Sequence, residues 1–546
     1  MDAPDGPRAA ASSLVTPRLV SPPLARAATT PGTPRLGVAV LAAALGGWTM
    51  DLGFPDLGWW PFTILGTALV LWSLRGRSVG GALLVGAVAG FVYYGVLIEW
   101  LTVYLGVVPW LALTLAQVFF VALGAIPIAL AWRWMPVAFP GVAGRLLLLP
   151  IVLAGLWTAR EGISNVWPWG GFAWGRLAIS HSEGPLAHWV AWIGMSGLTF
   201  LLALLAAVLA TVAIERRTLV VSRAVLVTGL SATLLVWPAF PTVTSGSVRV
   251  GAVQGNSETG LFAQYEPGDI LQDHLDATVP LYELDEPLDV VVWPENGSDL
   301  DPLRSGYAAA ALDSVSSRLD APVVVGTITA AGDETFNSVL LWQEGQGAID
   351  QYDKIHPVPF AEYLPEREFF YPLAPDLFDL VPRDYSIGQR DTVLELESVT
   401  AGVAICYDIV DDDLIARMID EDGTVLFAPT NNADFGRTDQ SVQQLAIARL
   451  RAIESGRSVV QASTVGASAI IAPDGSTMDD LPLFTAGVMV QEVPLSEVIT
   501  PAHALGRTLE WFVSLLAAGA LVIAGLASRS ASPRAARPMG DPRSAE

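Results

Sequence analysis

Seven apolar stretches precede, and one follows, a single acidic stretch of about 260 residues. That layout restricts the chain to a bundle of membrane helices carrying one large water-facing domain, since a continuous apolar run of about 20 residues is what a bilayer-spanning helix needs. The runs fall near 36–53, 59–74, 79–98, 108–131, 145–159, 188–213, 223–240 and 510–528, and the fifth contains Pro150. Several are short for a span, which predicts tilt or recruitment of flanking residues. Composition agrees. Only 15% of residues are charged and 52% are apolar, with a mean hydropathy of +0.47, whereas a soluble domain is about 25% charged.

Arginine placement orients the bundle, because cytoplasmic loops carry the excess of positive charge. Arg8, Arg18, Arg26 and Arg35 lie before the first span, and Arg75 and Arg77 follow the second. Arg133 and Arg145 bracket the link after the fourth, Arg216, Arg217 and Arg223 follow the sixth, and Arg529, Arg534, Arg537 and Arg543 close the chain. The alternate loops have none at 51–58 or 99–107, and only Arg160 and Arg176 after the fifth span. This predicts a cytoplasmic tail over 1–35, a seven-span domain over 36–240, an extracytoplasmic domain over 246–505, a last span over 510–528 and a cytoplasmic tail over 529–546. Both tails are Pro- and Arg-rich without hydrophobic period and are expected to be disordered. The first tail and span resemble an uncleaved signal-anchor.

The net charge of −24 argues against a nucleic-acid partner, which would require a basic footprint. The single cysteine excludes an internal disulfide, and five scattered histidines give no metal-ligand spacing.

Past Val248 the pattern shifts to short Val- and Ile-rich runs bounded by Gly, Pro, Asp and Asn. Strands are predicted at Val248–Gln254, Leu288–Trp293, Pro322–Ile328, Ser338–Trp342, Thr400–Cys406, Thr424–Ala428, Ser458–Ala462 and Ala467–Ala472. Helices are predicted near 267–283, 305–319, 409–421 and 438–456, the last with Leu445, Ala448, Ala452 and Ile453 as an apolar stripe beside Arg449, Arg451 and Glu454. Strands of this kind alternating with helices imply an α/β domain whose sheets are covered by helices.

Three segments within it carry chemistry. Cys406, the only cysteine, ends the run Ala401–Cys406 and precedes Tyr407-Asp408 and a predicted helix. A thiol at a helix N-terminus is expected to have a lowered pKa and hence more thiolate. Lys354, the only lysine, opens Lys354-Ile-His356-Pro in a Pro-rich stretch that reads as a loop, and its ammonium can stabilise an oxyanion. Glu295 ends Val290-Val-Val-Trp293-Pro294-Glu295, where apolar walls raise a carboxylate's pKa and suit it to proton transfer. Each also has an ordinary explanation: a buried small hydrophobe for the cysteine, a solvated lysine, a capping glutamate. All three at strand ends make a kit for acyl transfer through a thioester.

Trp293-Pro294-Glu295, Lys354 with Pro-Phe-Ala-Glu362 downstream, and Cys406-Tyr407-Asp408 resemble the Glu–Lys–Cys triad of the nitrilase (carbon–nitrogen hydrolase) superfamily. With seven spans before and one after, residues 36–528 are similar to the apolipoprotein N-acyltransferases of bacterial lipoprotein maturation. Val253-Gln254-Gly255-Asn256, Phe336-Asn337-Ser338, Tyr352-Asp353-Lys354, Asn431–Gly436 and the Trp167-Pro168-Trp169 loop support the resemblance. It implies an αββα nitrilase-like sandwich beside a multi-pass helical membrane domain of about eight spans, in the bacterial cell membrane. It implies Cys406 as nucleophile, Glu295 as general base and acid, Lys354 as oxyanion stabiliser, Glu362 orienting Lys354 or the amine, and the Tyr407 N–H as a further oxyanion donor. The implied donor is a phospholipid, the acceptor a diacylglyceryl apolipoprotein, and no cofactor is needed because the ester already holds the acyl group in activated form.

Four positions depart from the family pattern: Asp408 for Glu, Ala361 for Gly, Asp434 for an aromatic residue and Tyr265 for Trp. The stretch from Phe369 and Phe370 to Leu380 is too apolar for a solvated loop and is expected to dip towards the bilayer and line the acyl-chain access route; packing on the domain core is the other reading. Two other functions fit parts of the pattern. A membrane-anchored amidase using water shares the thioester step, and a non-enzymatic scaffold would need a degenerate triad.

Overall fold

Each apolar run forms a helix. In the computed structural model, which describes residues 33–215, 218, 220–257, 264–380 and 384–531, helices cover Leu36–Asp51, Pro61–Ser73, Val79–Leu97, Val107–Ala138, Leu149–Ser164, Val190–Ile214, Val220–Val236 and Thr508–Ala531. Counting the turns that lead into them, five are long and apolar enough to cross a membrane: Val79–Leu97, Val107–Ala138, Gly144–Ser164, Ala187–Ile214 and Thr508–Ser530. The other three are shorter. Pro150 does not break its helix, because it falls in the first turn, where no backbone donor is required. Small residues let the helices approach closely. A Cβ on Gly47 would meet the Ala89 carbonyl oxygen at 2.6 Å, and one on Gly86 the Ala125 Cβ at 2.6 Å. Most of both expected tails, with Arg216 and Arg217, lies outside the described residues, and the last helix runs past Ser528.

The domain after Gly246 is built on two six-stranded sheets. The first orders its strands Gly487–Leu495, Gly246–Gln254, Val290–Val292, Val323–Ala331, Glu334–Gln343 and Gly347–Asp353. The second runs Thr477–Leu481, Ser468–Ile471, Val459–Gln461, Val425–Phe427, Thr400–Val403 and Val393–Glu395. Three strands at the heart of each sheet are parallel and the flanking ones antiparallel.

Both faces of the central strands are buried, which is why their sequences read as unbroken Val and Ile. Val248, Val250, Val290, Val292 and Val324 face Val403, Val425, Phe427 and Val460 of the other sheet. Val253, Val291, Val323 and Val325 face helices Asp269–Thr278 and Gly306–Leu319. On the far side, Leu414, Met418, Ile447 and Leu450 of helices Asp412–Asp420 and Gln440–Ser455 share one continuous core with the membrane helices. The order is helix, sheet, sheet, helix, with the second helical layer seated on the membrane part.

All eight predicted strands are present. Four more, Gly347–Asp353, Val393–Glu395, Thr477–Leu481 and Gly487–Leu495, were not predicted; they lie at or near sheet edges and mix polar with apolar residues. Lys354 directly follows Gly347–Asp353 and lies in the loop that its Pro-rich segment predicts, but it is buried at 1% exposure, against the solvated-lysine alternative.

Candidate active site

Glu295, Lys354 and Cys406 meet where strands of the two sheets end. The Trp293-Pro294-Glu295 turn continues strand Val290–Val292, with the Trp293 N–H bonded to Val324 O at 2.8 Å. It packs against Gly326, where a Cβ would collide with the Pro294 carbonyl and lie 2.6 Å from Glu295 Cα. Gly326→Ala is therefore expected to displace Glu295.

Lys354 is held between two carboxylates. Its Nζ is 2.9 Å from both oxygens of Glu362 and 3.4 Å from Glu295 Oε1. Asn337 Nδ2 ties the pair together, donating to Glu295 Oε1 at 2.7 Å and Glu362 Oε1 at 3.1 Å. The Asn431 N–H donates to Glu295 Oε2 at 2.8 Å, and the Val358 N–H to Glu362 Oε2 at 2.6 Å. Burial opposes the charge on Lys354, but Glu362 and Glu295 outweigh it and hold its pKa well above the usual lysine range. Burial raises Glu295, with Lys354 pulling the other way.

Cys406 opens a 3₁₀ turn, Cys406–Val410, with φ +51°, a left-handed conformation costly for a side chain with a Cβ. The turn is pinned from three sides. Cys406 N–H donates to Pro429 O at 3.0 Å. Buried Asp408 accepts from Tyr352 Oη at 2.8 Å, the His356 N–H at 3.0 Å and the Ile405 N–H at 3.1 Å, which locks the Lys354 segment to the Cys406 turn. Arg451 reaches Ile409 O at 2.9 Å and Val410 O at 2.7 Å. Asp408, one of the departures from the family pattern, thus satisfies three donors in this site.

The thiol departs from expectation. Cys406 retains some exposure as a residue, yet burial of its thiol, with Glu295 second, pushes the pKa up to about 12. Lys354 and a bond to Thr430 only partly offset this. A five-residue turn offers little dipole, so desolvation wins. At neutral pH this favours the neutral thiol, which would have to lose its proton to act as a nucleophile. Iodoacetamide labelling at pH 8 is accordingly expected to run at least about 100-fold slower than with free cysteine and to rise steeply above pH 9; a labelling midpoint below pH 7 would contradict the burial.

Tyr407 stacks on Trp174 (6.4 Å between centroids, 5° between planes), and its Oη is 3.5 Å from Gly171 O. A cavity of about 310 Å³ lies beyond it, lined by Tyr407, Ile355, His356, Trp169 and Arg176 but not by Glu295, Lys354 or Cys406. Phe369 and Phe370 end the short helix Arg367–Phe370. Phe370 meets Trp169 at 5.4 Å and Phe360 at 5.0 Å, while Phe369 is 66% exposed. Among the described residues no cluster of three or more His, Cys, Asp or Glu side chains is arranged to hold a metal ion.

Arg176 joins the loop after the fifth apolar helix to the catalytic side by an ion pair with Asp412 at 2.8 Å. Arg451, predicted beside the apolar stripe, is instead buried and bonded to the same carboxylate at 2.7 Å. Asn337, Gly326, Asn431 and Arg451 were not singled out as site residues. Only Asn337 and Asn431 had a signal, in the Phe-Asn-Ser and Asn-Asn-Ala segments.

An acid, an amine and a thiol converging on a two-sheet sandwich define a carbon–nitrogen hydrolase-type domain, here carried by membrane helices. Residues 249–501 match the family described as Carbon-nitrogen hydrolase, and residues 46–208 match Apolipoprotein N-acyltransferase N-terminal domain. The chain belongs to the apolipoprotein N-acyltransferase family and is a membrane protein. It is 31% identical to the apolipoprotein N-acyltransferase of Mycolicibacterium smegmatis, over 91% of this chain and 87% of that one. It is also 31% identical to that of Azotobacter vinelandii, over 91% and 96%. Among solved structures, an amidase from Nesterenkonia sp. is similar at 15% identity and a TM-score of 0.35, covering 50% of this chain and 98% of that one.

Proposed function

We propose that this protein transfers an acyl chain from a membrane phospholipid to the N-terminal amine of an S-diacylglyceryl-cysteine apolipoprotein, through a thioester on Cys406. Cys406 Sγ attacks the ester carbonyl while Glu295 takes the thiol proton. Lys354 and the Tyr407 N–H stabilise the oxyanion. The tetrahedral intermediate expels lysophospholipid, whose oxygen receives the proton from Glu295. The acceptor amine then attacks the thioester, Glu295 takes its proton, and the thiol is restored. Glu362 orients Lys354.

The observation that carries this reading is that the membrane part supplies one wall of the site, with Trp174 lying flat on the Tyr407 ring next to the nucleophile. A domain working on soluble amides has no need of that wall. Both proposed substrates are lipid-anchored, and tethering at both ends keeps the catalytic domain at high effective concentration beside them. The proposed orientation has the catalytic domain on the extracytoplasmic side of the bacterial cell membrane. It is supported by the poverty in arginine of the loops that meet that domain; Arg176 in one of them is consumed by its ion pair with Asp412.

The test supplies phospholipid vesicles and an S-diacylglyceryl-cysteine peptide and follows the peptide by mass. N-acylated peptide is expected; free fatty acid with unmodified peptide would favour the amidase. The aromatic group of Trp169, Phe360, Phe369 and Phe370 is proposed to line the lipid's access route. Phe369→Ser with Phe370→Ser should then raise KM for vesicle phospholipid about 10-fold, since each buried aromatic contact contributes on the order of 1 kcal/mol. Unchanged lipid kinetics would assign these rings to packing alone.

A further inference from the structure

Gln443 sits on helix Gln440–Ser455 of the catalytic domain, buried at 2% exposure, with its amide among the loops of the membrane part. Its Oε1 accepts from the Trp174 indole N–H at 2.7 Å and from the Trp100 indole N–H at 3.2 Å. Its Nε2 faces Pro55 O and Leu97 O, each at 3.4 Å. Indoles only donate and carbonyls only accept, so the amide has one satisfactory orientation, and all four of its hydrogen-bonding sites are engaged. Those four partners come from all three segments that connect membrane helices on the catalytic side: the link after Leu36–Asp51, the link after Val79–Leu97, and the long loop after Leu149–Ser164.

The two indoles are not peripheral. Trp100 packs on Trp174 at 5.6 Å and edge-on to Phe435 at 5.2 Å. Tyr104 also packs on Phe435, at 5.1 Å. Trp174 lies parallel to Tyr407, the residue after Cys406, and Phe435 follows the Asn431 turn whose N–H holds Glu295. A row of rings, Tyr104, Phe435, Trp100, Trp174 and Tyr407, therefore runs along the membrane side of the site, with Phe435 and Tyr407 from the catalytic domain and the other three from the membrane part. An indole buried without an acceptor is costly, so the position of each Trp ring depends on the oxygen it finds.

We propose that Gln443 is a positioning residue that fixes the Trp100–Trp174 wall against Tyr407 and so admits a bilayer-held acyl donor to Cys406. This rests on the acyl-transfer reading above. Gln443 touches no reacting atom; it acts through Trp174. Its loss should penalise a donor that must pass along the ring wall from the membrane, and spare a small donor arriving from water.

The experiment uses the full-length protein in detergent–lipid mixtures and measures acylation of Cys406 by intact mass, with either vesicle phospholipid or p-nitrophenyl butyrate as donor. Gln443→Leu and Trp174→Phe, which keeps a ring but removes the N–H, are compared singly and together. Acylation from phospholipid is expected to fall about 10- to 100-fold in both single variants, as misplacement of about 1 Å can cost. Acylation from the small ester should stay within about threefold of wild type, and the double variant should be no worse than Gln443→Leu alone, because that change already removes the bond that Trp174→Phe removes. Equal losses with both donors would mean general destabilisation and overturn the proposal, as would undiminished phospholipid acylation or additive losses. Should Gln443→Leu fail to fold, Trp174→Phe decides by the same donor comparison. A wild-type protein that takes the butyryl group but none from phospholipid would instead bring down the acyl-transfer reading, and this inference with it.

Discussion

Replacing Lys354 with Met is expected to cost the protein both turnover and stability. In the native site the ammonium lies between Glu362, at 2.9 Å, and Glu295, at 3.4 Å, with Asn337 bridging the two acids. Removing it leaves two carboxylates facing each other in a dry pocket, and breaking a buried ion pair from one side costs about 3–5 kcal/mol unless a proton is taken up. The site answers by protonating one acid, and Glu295, already raised by burial, loses part of its capacity as base. The proposed oxyanion donor is lost as well, worth about 100- to 1,000-fold in kcat. Thermal unfolding and single-turnover acylation measured together separate the two losses. A variant that unfolds like wild type and keeps its acylation rate would remove Lys354 from the site. An added sign of the same physics is that the stability deficit should shrink at low pH, where the second carboxylate is neutral.

Glu295→Gln isolates the proton-transfer role. The amide oxygen can still accept from Asn337 and Lys354, and Lys354 keeps both oxygens of Glu362, while the new NH2 faces the Asn431 N–H, so a stability loss of about 1–3 kcal/mol is expected without loss of the fold. The thiol, however, has a pKa pushed up to about 12 and cannot ionise unaided at neutral pH. Without a base the acylation rate is expected to fall about 100- to 10,000-fold. The pH profile adds the sign. As the proposed base Glu295 would work only when deprotonated, and burial raises its pKa above the usual 4.5. The wild-type rate should therefore fall on acidification with a midpoint above 4.5, and that limb should vanish in Glu295→Gln. A wild-type profile flat down to pH 4.5 would count against Glu295 as the base.

The thiol is where reading from sequence went furthest astray. A cysteine at the start of a helix suggests dipole activation, but the turn that forms is five residues of 3₁₀ helix with its thiol buried near Glu295 and Lys354. Burial is a property of the whole fold and outweighs the local signal. Glu295 and Cys406 were legible because each follows an apolar run that only a doubly buried strand would carry, and Lys354 because of the motif around it. The strand before Lys354, Gly-Ala-Ile-Asp-Gln-Tyr-Asp, was not, since an edge strand half in water lacks such a run. Asn337, Arg451 and Gln443 were harder still. A Gln on an amphipathic helix looks solvated, and nothing near Gln443 in sequence hints that its partners are Trp100 and Trp174. The membrane helices were legible from hydropathy, while the way their loops close over the catalytic domain was not, because those contacts join segments hundreds of residues apart.

The proposed transfer requires a covalent acyl intermediate at Cys406. The direct measurement is intact mass of the purified protein after incubation with phospholipid vesicles and no acceptor, wild type beside Cys406→Ala. The wild type should gain the mass of one acyl chain, hydroxylamine should remove it, and the Ala variant should gain nothing. A wild type that stays unmodified while p-nitrophenyl butyrate still acylates Cys406, or an adduct of equal yield on Cys406→Ala, would contradict it.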